Sequence, residues 1–195
     1  MFHYHSHGGI SIMSELRTNR IVPRDGLVSA TNFGGGIIQC KMGVLTGFVE
    51  IQGDSAGGYL EISGLNVTIT PTRADSKIMI DAVVNVTANE DNYHMGIEIR
   101  RGSTRLSGFA PTDDGNAVGN RTPSMSSFAN INNSKIIPVP LMGFDAPSTT
   151  SAVTYKIYGS IESNRYLQVN GSDDSADQYS NYRAISTIRA WEISG

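Results

Sequence analysis

Alternating apolar and polar residues dominate the chain from Ile37 onward, and clusters of Gly, Asn, Asp and Pro interrupt the alternation about every ten residues. A period of two residues is typical of a β-strand that buries one face. The clearest run spans residues 77–87, and we predict that it forms such a strand. Its predicted core side chains are Ile78, Ile80, Ala82, Val84 and Val86.

A second run follows the turn-forming residues 89–92 (NEDN). Its alternation places Tyr93, Met95, Ile97 and Ile99 on one side of a strand. Two such runs joined by a short polar turn predict an antiparallel hairpin. Gly102 ends the second run, and because glycine accepts the positive φ of a tight turn, we predict a β-turn of two to four residues centred on it.

Similar runs predict further strands near residues 37–44, 65–70, 135–144, 153–161 and 184–193, with shorter ones near 104–108, 125–131 and 166–169. In the last long run, Ile185, Ile188, Trp191 and Ile193 do not share one face by simple alternation. This irregularity predicts a bulge or burial on both faces, as at a subunit boundary. No segment keeps a helical period over three turns. We therefore predict an all-β protein, an antiparallel β-sandwich of jelly-roll type over residues 34–195.

Residues 1–33 carry few apolar residues in a regular pattern, and a glycine triplet at 34–36 separates them from the first predicted strand. A turn sequence at 23–26 (PRDG) interrupts them further. A segment of this kind has too little apolar surface to form a core of its own. We predict an extended N-terminal arm that docks on a partner.

Composition narrows the classes of partner. Among the 195 residues, 15 basic side chains stand against 18 acidic ones, for a formal net charge of -3. Proteins that bind nucleic acid use clustered Lys and Arg to contact phosphates, so we expect no nucleic-acid partner. No apolar stretch approaches the roughly 20 residues that cross a bilayer, and we expect no membrane insertion. The single cysteine, Cys40, excludes an intrachain disulfide.

Candidate catalytic patterns are weak. Residues 53–57 (GDSAG) match the nucleophile loop of serine hydrolases, but the only histidines before them lie in the arm and no predicted helix follows. Paired carboxylates at 90–91, 113–114 and 173–174 lie in loops, where Asp favours turns. Asp173, Ser175 and Asp177 alternate as calcium ligands do, without the Gly and distal Glu of an EF-hand. We expect no enzyme activity and no cofactor.

Three histidines near the N-terminus form a candidate metal site. His3, His5 and His7 alternate, so in an extended chain their imidazoles project to one side. Imidazole is a ligand for ions such as zinc, and a threefold assembly would stack rings of these side chains along its axis. The alternative is a polar tail that precedes a natural start at Met13.

Several segments match one pattern in both order and spacing. Residues 13–21 (MSELRTNRI) precede the glycine joint, and residues 36–39 (GIIQ) begin the first predicted strand. Residues 64–71 (GLNVTITP), 76–80 (SKIMI), 99–104 (IRRGST), 145–156 (DAPSTTSAVTYK) and 186–193 (STIRAWEI) follow. Together they resemble the tail-fibre and virion structural proteins of tailed bacteriophages, cyanophages included, over most of residues 13–195.

The resemblance implies a non-enzymatic virion structural protein whose jelly-roll domain forms a homotrimer on the phage particle. Other virion proteins would then be its partners, and the arm would dock on them through Leu16, Arg17, Asn19 and Ile21. A tail-fibre or adaptor component is favoured over a capsid decoration (cement) protein.

A second class of function stays open, because jelly rolls also serve as lectins. A host-glycan site requires an exposed aromatic platform with polar neighbours, and the candidates are Tyr158, Tyr166, Tyr179 and Tyr182. Tyrosine is also frequent in protein interfaces, so these residues fit a scaffold as well as a lectin.

Overall fold

The structure is a computed structural model that describes residues 36–54, 58–106, 124–129, 135–172 and 182–194. These residues form the strands β1 (Ile37–Leu45), β2 (Val49–Gln52), β3 (Leu60–Ile69), β4 (Lys77–Ala88), β5 (His94–Arg101), β6 (Thr104–Arg105), β7 (Ser126–Ala129), β8 (Ile137–Asp145), β9 (Val153–Ile161), β10 (Tyr166–Val169) and β11 (Ser186–Ile193). No helix occurs within these ranges, which confirms the predicted all-β class. The predicted arm, residues 1–33, lies outside them.

The strands form two sheets in which all pairs are antiparallel. In the first sheet, β4 pairs with β8 along one side and with β11 and β10 along the other, while β1 pairs with β11 and β2 with β10. In the second sheet, β9 lies between β3 and β5, and β5 also pairs with β6 and β7. Without the short strands β2, β6 and β10, the two orders are β1-β11-β4-β8 and β3-β9-β5-β7. Early and late strands therefore interleave in both sheets, which is the connectivity of a jelly roll.

The core lies between the sheets and follows the predicted alternation. All five predicted side chains of β4 are buried. They contribute to one cluster with Met95, Ile97 and Ile99 of β5 and with Tyr155 and Ile157 of β9. Burial of each aliphatic side chain stabilises the fold by about 1.5–3 kcal/mol, so the inner faces supply the main stabilisation of the sandwich.

The predicted hairpin between residues 77–87 and the run after it is wrong. β4 and β5 are both strands with the expected faces, yet they belong to different sheets and do not pair. The connection between Ala88 and His94 carries the chain from one sheet to the other. Alternation fixes which side of a strand is buried but not which strand lies beside it, and a crossing connection keeps both apolar faces on the same core.

The last strand shows no bulge. In β11, Ser186, Ile188, Ala190 and Glu192 all point inward and are fully buried, and the alternation is regular. The prediction of a bulge in this strand is therefore wrong. The irregularity lies in its neighbour β1, where the register shifts between Ile37 and Gln39.

The turn after β5 confirms the prediction made for Gly102. Arg101 pairs with Thr104, so Gly102 and Ser103 form the turn between β5 and β6. Gly102 has a φ of 59°, in the left-handed region that glycine accepts without strain.

Asn170, directly after β10, joins three parts of the first sheet. It is buried at a φ of 65°, which asparagine accepts more readily than most residues. Its amide nitrogen donates to the carbonyl oxygens of Leu45 (2.8 Å) and Gly47 (3.1 Å), and its amide oxygen accepts from the Ser186 hydroxyl at 2.6 Å. The side chain thus fixes the turn between β1 and β2 against the start of β11.

Candidate functional site: an apolar outer sheet face

The side of the first sheet that points away from the core is apolar across four strands. The register aligns three cross-strand rows on it: Cys40, Trp191, Met79 and Phe144; then Met42, Arg189, Asp81 and Met142; then Val44, Thr187, Val83 and Pro140. We call these twelve residues the apolar face. Only Arg189, Asp81 and Thr187 among them are polar or charged.

The flanks of the apolar face are open to solvent. Met42 on β1 is 61% exposed and Met142 on β8 is 58% exposed, and Val44 is exposed as well. Trp191, at the centre of the first row, is half-buried. An antiparallel sheet with one free side normally presents polar residues to water, so this face departs from the usual alternation.

A closed charge pair occupies the centre of the apolar face. The Arg189 Nε donates to the Asp81 Oδ1 at 2.8 Å, and the Trp191 Nε1 donates to the Asp81 Oδ2 at 2.5 Å. Each carboxylate oxygen therefore accepts from a donor of this chain. Burial of a charge is costly mainly when its partners are missing. Because both oxygens of the Asp81 carboxylate already have a donor, another molecule could cover the face without leaving this charge unpaired.

The β8 edge of the first sheet is a poor site for strand addition. Pro138 and Pro140 lie in β8, which pairs only with β4 among the described strands. Proline has no N–H, so a further strand beside β8 would lack two donors. On the inner side of β1, the backbone of Gly43 lies against the Asn66 carbonyl of β3, where even a Cβ would not fit.

The outer side of the second sheet has a different character, with charged and hydroxyl side chains in its rows. Glu98 of β5 is 1% exposed and forms ion pairs with Arg100 and with Arg105, the latter at 2.8 Å. The Arg100 guanidinium lies 4.4 Å from the ring centre of Tyr158 and 5.4 Å from that of Tyr59. Burial of Tyr59 raises the pKa of its hydroxyl. The charged side chains of this cluster pair with one another, and the Arg100 guanidinium packs on the Tyr158 ring, so Tyr158 is buried.

A neighbouring pair continues this polar surface. The Lys156 Nζ lies 2.8 Å from the Glu61 Oε2, and this hydrogen bond raises the pKa of the ammonium group. The Thr68 and Thr154 hydroxyls form a hydrogen bond of 2.8 Å in the next row. Charged and hydroxyl side chains of this kind are usually exposed to water.

The residues predicted from sequence fall in several places. Tyr158 lies on β9 of the second sheet, and Tyr166 begins β10 of the first, so the structure does not bring these two together. Tyr182 is 78% exposed, ahead of β11. The predicted metal ligands His3, His5 and His7, the arm residues Leu16, Arg17, Asn19 and Ile21, and Tyr179 lie outside the described residues.

Sequence-based reasoning identified only part of the apolar face. The last strand was expected at a subunit boundary, and Trp191 and Ile193 do lie on its outer side. The contributions of β1, β4 and β8 were missed. In β4 and β8, Val83 and Met142 lie on the side opposite the core residues. In β1, the outer residues Cys40, Met42 and Val44 are more apolar than Gln39 and Lys41 on the inner side. Apolar residues at such positions in several strands were the available signal.

Within the described ranges, no helix is long and apolar enough to cross a membrane. Among the same residues, no group of three or more His, Cys, Asp or Glu side chains is placed to hold a metal ion.

No protein-family model matches the sequence, and no curated protein matches it either. Solved structures of infectious bursal disease virus show a weak similarity to this chain at 10% sequence identity. The Gx strain structure gives a TM-score of 0.37 over 80% of this chain and 38% of the other, and the Gt strain structure gives 0.36 over 82% and 39%. The VP2 subviral particle of that virus gives 0.33 over 82% and 39%. This chain thus spans less than two fifths of those chains, and likeness at this level says nothing about its function.

Proposed function

We propose that the chain is a non-enzymatic structural component of a bacteriophage virion, a homotrimeric tail-fibre or adaptor protein. The observation that carries the proposal is the apolar face, because contiguous apolar patches on a protein surface mark sites that another protein covers. The jelly-roll connectivity and the ordered sequence segments that resemble phage virion proteins support the same assignment.

The proposal assigns docking on the particle to the N-terminal arm, and assembly to the sandwich. The two roles are separable in sequence, since the glycine triplet at 34–36 divides the arm from β1. A docking arm needs no core of its own and becomes ordered when it binds, which fits the irregular pattern of residues 1–33.

Localisation on the particle tests this function. Gold-labelled antibody against the sandwich, applied to purified particles of the phage that encodes the chain, is expected to mark the tail. Label on the capsid shell instead would favour the decoration protein, and particles without label would contradict a virion role altogether.

A full-length variant with alanine at Leu16, Arg17, Asn19 and Ile21 tests the arm. We expect it to keep the oligomeric state of the wild type but to be missing from particles, as measured by mass spectrometry of purified virions. A matched variant with alanine at Ser11 and Ser14, also in the arm, should be incorporated normally. Normal incorporation of the fourfold variant would assign docking to another surface.

Contact with a host glycan remains a secondary proposal. Tyr182 is the one tyrosine of the predicted set that is widely exposed among the described residues. A glycan array probed with the full chain and with Tyr182→Ala tests it. Binding that the substitution abolishes would support a lectin-like contact at this position.

A further inference from the structure

We infer that residues 27–33 of this chain form a further β-strand beside β1, joined to it by the glycine triplet at 34–36. This strand goes beyond the proposed function and does not depend on it, because it completes one sheet of the sandwich. Residues 27–33 lie outside the described residues, so the described edge of β1 and the sequence that adjoins it carry the assignment.

β1 is a long strand with one open edge. Among the described strands it pairs only with β11. In an antiparallel ladder the N–H and C=O groups of successive residues point to opposite sides, so about half of the nine residues of β1 direct theirs away from β11. The contact of Gly43 with the Asn66 carbonyl lies on the inner side of the strand and leaves this edge open. β1 is therefore a template for one more strand.

The two long edges of the first sheet are protected differently. β8 carries Pro138 and Pro140, which remove N–H donors from its ladder. β1 contains no proline, and Lys41 is its only charged residue. It also exposes four large apolar side chains: Ile37, Ile38, Met42 and Val44. Natural β-proteins either blunt an edge of this kind or cover it, so the sequence of β1 indicates an edge that is covered.

The chain just before β1 has the composition of a strand. Residues 27–33 (LVSATNF) contain no charge, no proline and no glycine. Turn-forming sequences bound them on both sides, at 23–26 (PRDG) and 34–36 (GGG). Two strand-like runs separated by three residues that include glycine are typical of a β-hairpin. A segment that adds to an existing edge needs no core of its own, so the few apolar residues of the arm are sufficient.

A three-residue loop also gives a register in which the side chains match. We count back from the loop with β1 taken as regular on this side. The pairs on the apolar face are then apolar and the pairs on the inner side are polar: Val28 with Met42, Ala30 with Cys40, Ser29 with Lys41, and Thr31 with Gln39. Cross-strand pairs of like polarity stabilise a sheet, so the register keeps both sides of the new strand compatible with β1.

Proximity selects this segment over another molecule as the occupant of the edge. The loop of three residues holds the end of the segment next to Ile37, and closing so short a loop costs little entropy. A strand from another molecule has to compete with a segment that is tethered at the edge at high effective concentration.

The single cysteine of the chain gives a direct test. Cys40 lies in the middle of β1, and further cysteines are introduced in separate full-length variants at Ser29, Ala30 and Thr31. Each variant is equilibrated in a glutathione buffer, and the intrachain disulfide is quantified by mass spectrometry. Two cysteines whose Cβ atoms point apart cannot be bridged, so the yield reports both the register and the side of the sheet.

We expect the equilibrium constant for the bond to Cys40 to be at least about tenfold larger in Ala30→Cys than in Ser29→Cys or Thr31→Cys, because these neighbours point to the opposite side of the sheet. Ala30→Cys combined with Cys40→Ser is the control without a partner thiol. A maximum of the same sharpness at Thr31 would also support the strand, in a register shifted by the irregularity between Ile37 and Gln39. Equal yields at all three positions, as in an unstructured tail, would overturn the inference. So would a covalent dimer in place of the intrachain bond.

Amide hydrogen exchange measured by NMR tests the edge itself. All amides of β1 should exchange slowly in the wild type. Fast and slow amides should alternate along β1 in a full-length variant that combines Ala30→Pro with Thr31→Pro. One of two adjacent N–H groups must point at β1, so this pair of prolines removes a ladder hydrogen bond in either register.

A variant that combines Ser11→Pro with Ile12→Pro, in the arm but outside the segment, is the matched control and should leave β1 protected. Alternating protection in the wild type would show an open edge and overturn the inference. Protection that survives the prolines at 30 and 31 would overturn it too, because another molecule or another part of the chain would then cover the edge.

Discussion

Replacement of Glu192 by glutamine should destabilise the fold in a pH-dependent way. The Glu192 carboxylate is fully buried at the end of β11 and accepts four hydrogen bonds. Its Oε2 accepts from the Gln39 amide at 2.6 Å, and its Oε1 accepts from the Thr72 backbone, the Thr72 hydroxyl and the Ser76 hydroxyl at 2.7–2.8 Å. One side chain therefore joins β1, β11 and the turn that precedes β4.

The size of the effect follows from these donors. In Glu192→Gln, the amide oxygen can still serve Thr72 and Ser76, but the new NH₂ group then faces the Gln39 amide, itself a donor. Gln39 must turn away or give up its bond to the Thr70 carbonyl (2.8 Å). The loss of one hydrogen bond to a charged group costs about 1.5–3 kcal/mol, which corresponds to a fall in melting temperature of roughly 3–12 °C for a chain of this size.

The pH dependence has a definite sign. Burial raises the pKa of Glu192, but the hydrogen bonds from Gln39, Ser76 and Thr72 together lower it below its usual value. A carboxyl whose pKa is lower in the folded state stabilises the fold above its unfolded pKa of about 4.3 and loses that contribution as the pH falls through the folded value. The difference between wild type and Glu192→Gln should therefore be largest at pH 7 and should shrink below about pH 4.

Urea unfolding at fixed protein concentration, repeated from pH 7 down to pH 3, measures this difference. Glu162→Gln is the control, because Glu162 is exposed in the turn after β9, and its replacement should change stability little at any pH. Equal stability of Glu192→Gln and wild type at pH 7 would refute the reasoning. A difference that stays constant with pH would refute the assigned role of the charge.

Three further substitutions have expected outcomes. Gly102→Val should lower the free energy of unfolding by about 1 kcal/mol or more in thermal melts, because its Cβ meets open space and only the positive φ opposes it; Gly102→Asn should cost less. Asn170→Ala should lower that free energy by about 2–4 kcal/mol in urea unfolding, since the Ser186 hydroxyl and two carbonyls lose their partner. Pro140→Val should leave stability nearly unchanged but increase concentration-dependent light scattering, because it restores a donor at the edge of β8; an unchanged scattering signal would mean that this edge is already covered.

The sequence predicted local structure well where one physical cause dominates. The inner side of β4 and the turn at Gly102 follow from a two-residue period and from the conformational freedom of glycine, and both are confirmed. β2 was not predicted, because four residues of alternation give little signal. β3 begins at Leu60, earlier than predicted, since its register shifts between Glu61 and Asn66 and breaks the period there.

Pairing and polar burial were the parts that local patterns did not reveal. The connection between β4 and β5 is short enough for a hairpin, but it crosses between sheets because both strands bury apolar faces on one core. The regular alternation of β11 was obscured because Ser186 and Glu192 are polar and yet point inward. Their partners come from distant positions, and no local period signals a contact between Glu192 and Thr72.

Among the described residues, the core between the sheets does not account for the apolar face. The core between the sheets is complete without it, and the side chains on its flanks, Met42 and Met142, are more than half exposed. Polar residues at these positions would preserve the strands and the core, as they do on the outer side of the second sheet around Lys156 and Glu61. We propose that the difference between the two outer surfaces reflects what each one contacts. One surface has the composition of a sheet in water, and the other has the composition of a sheet that packs against protein.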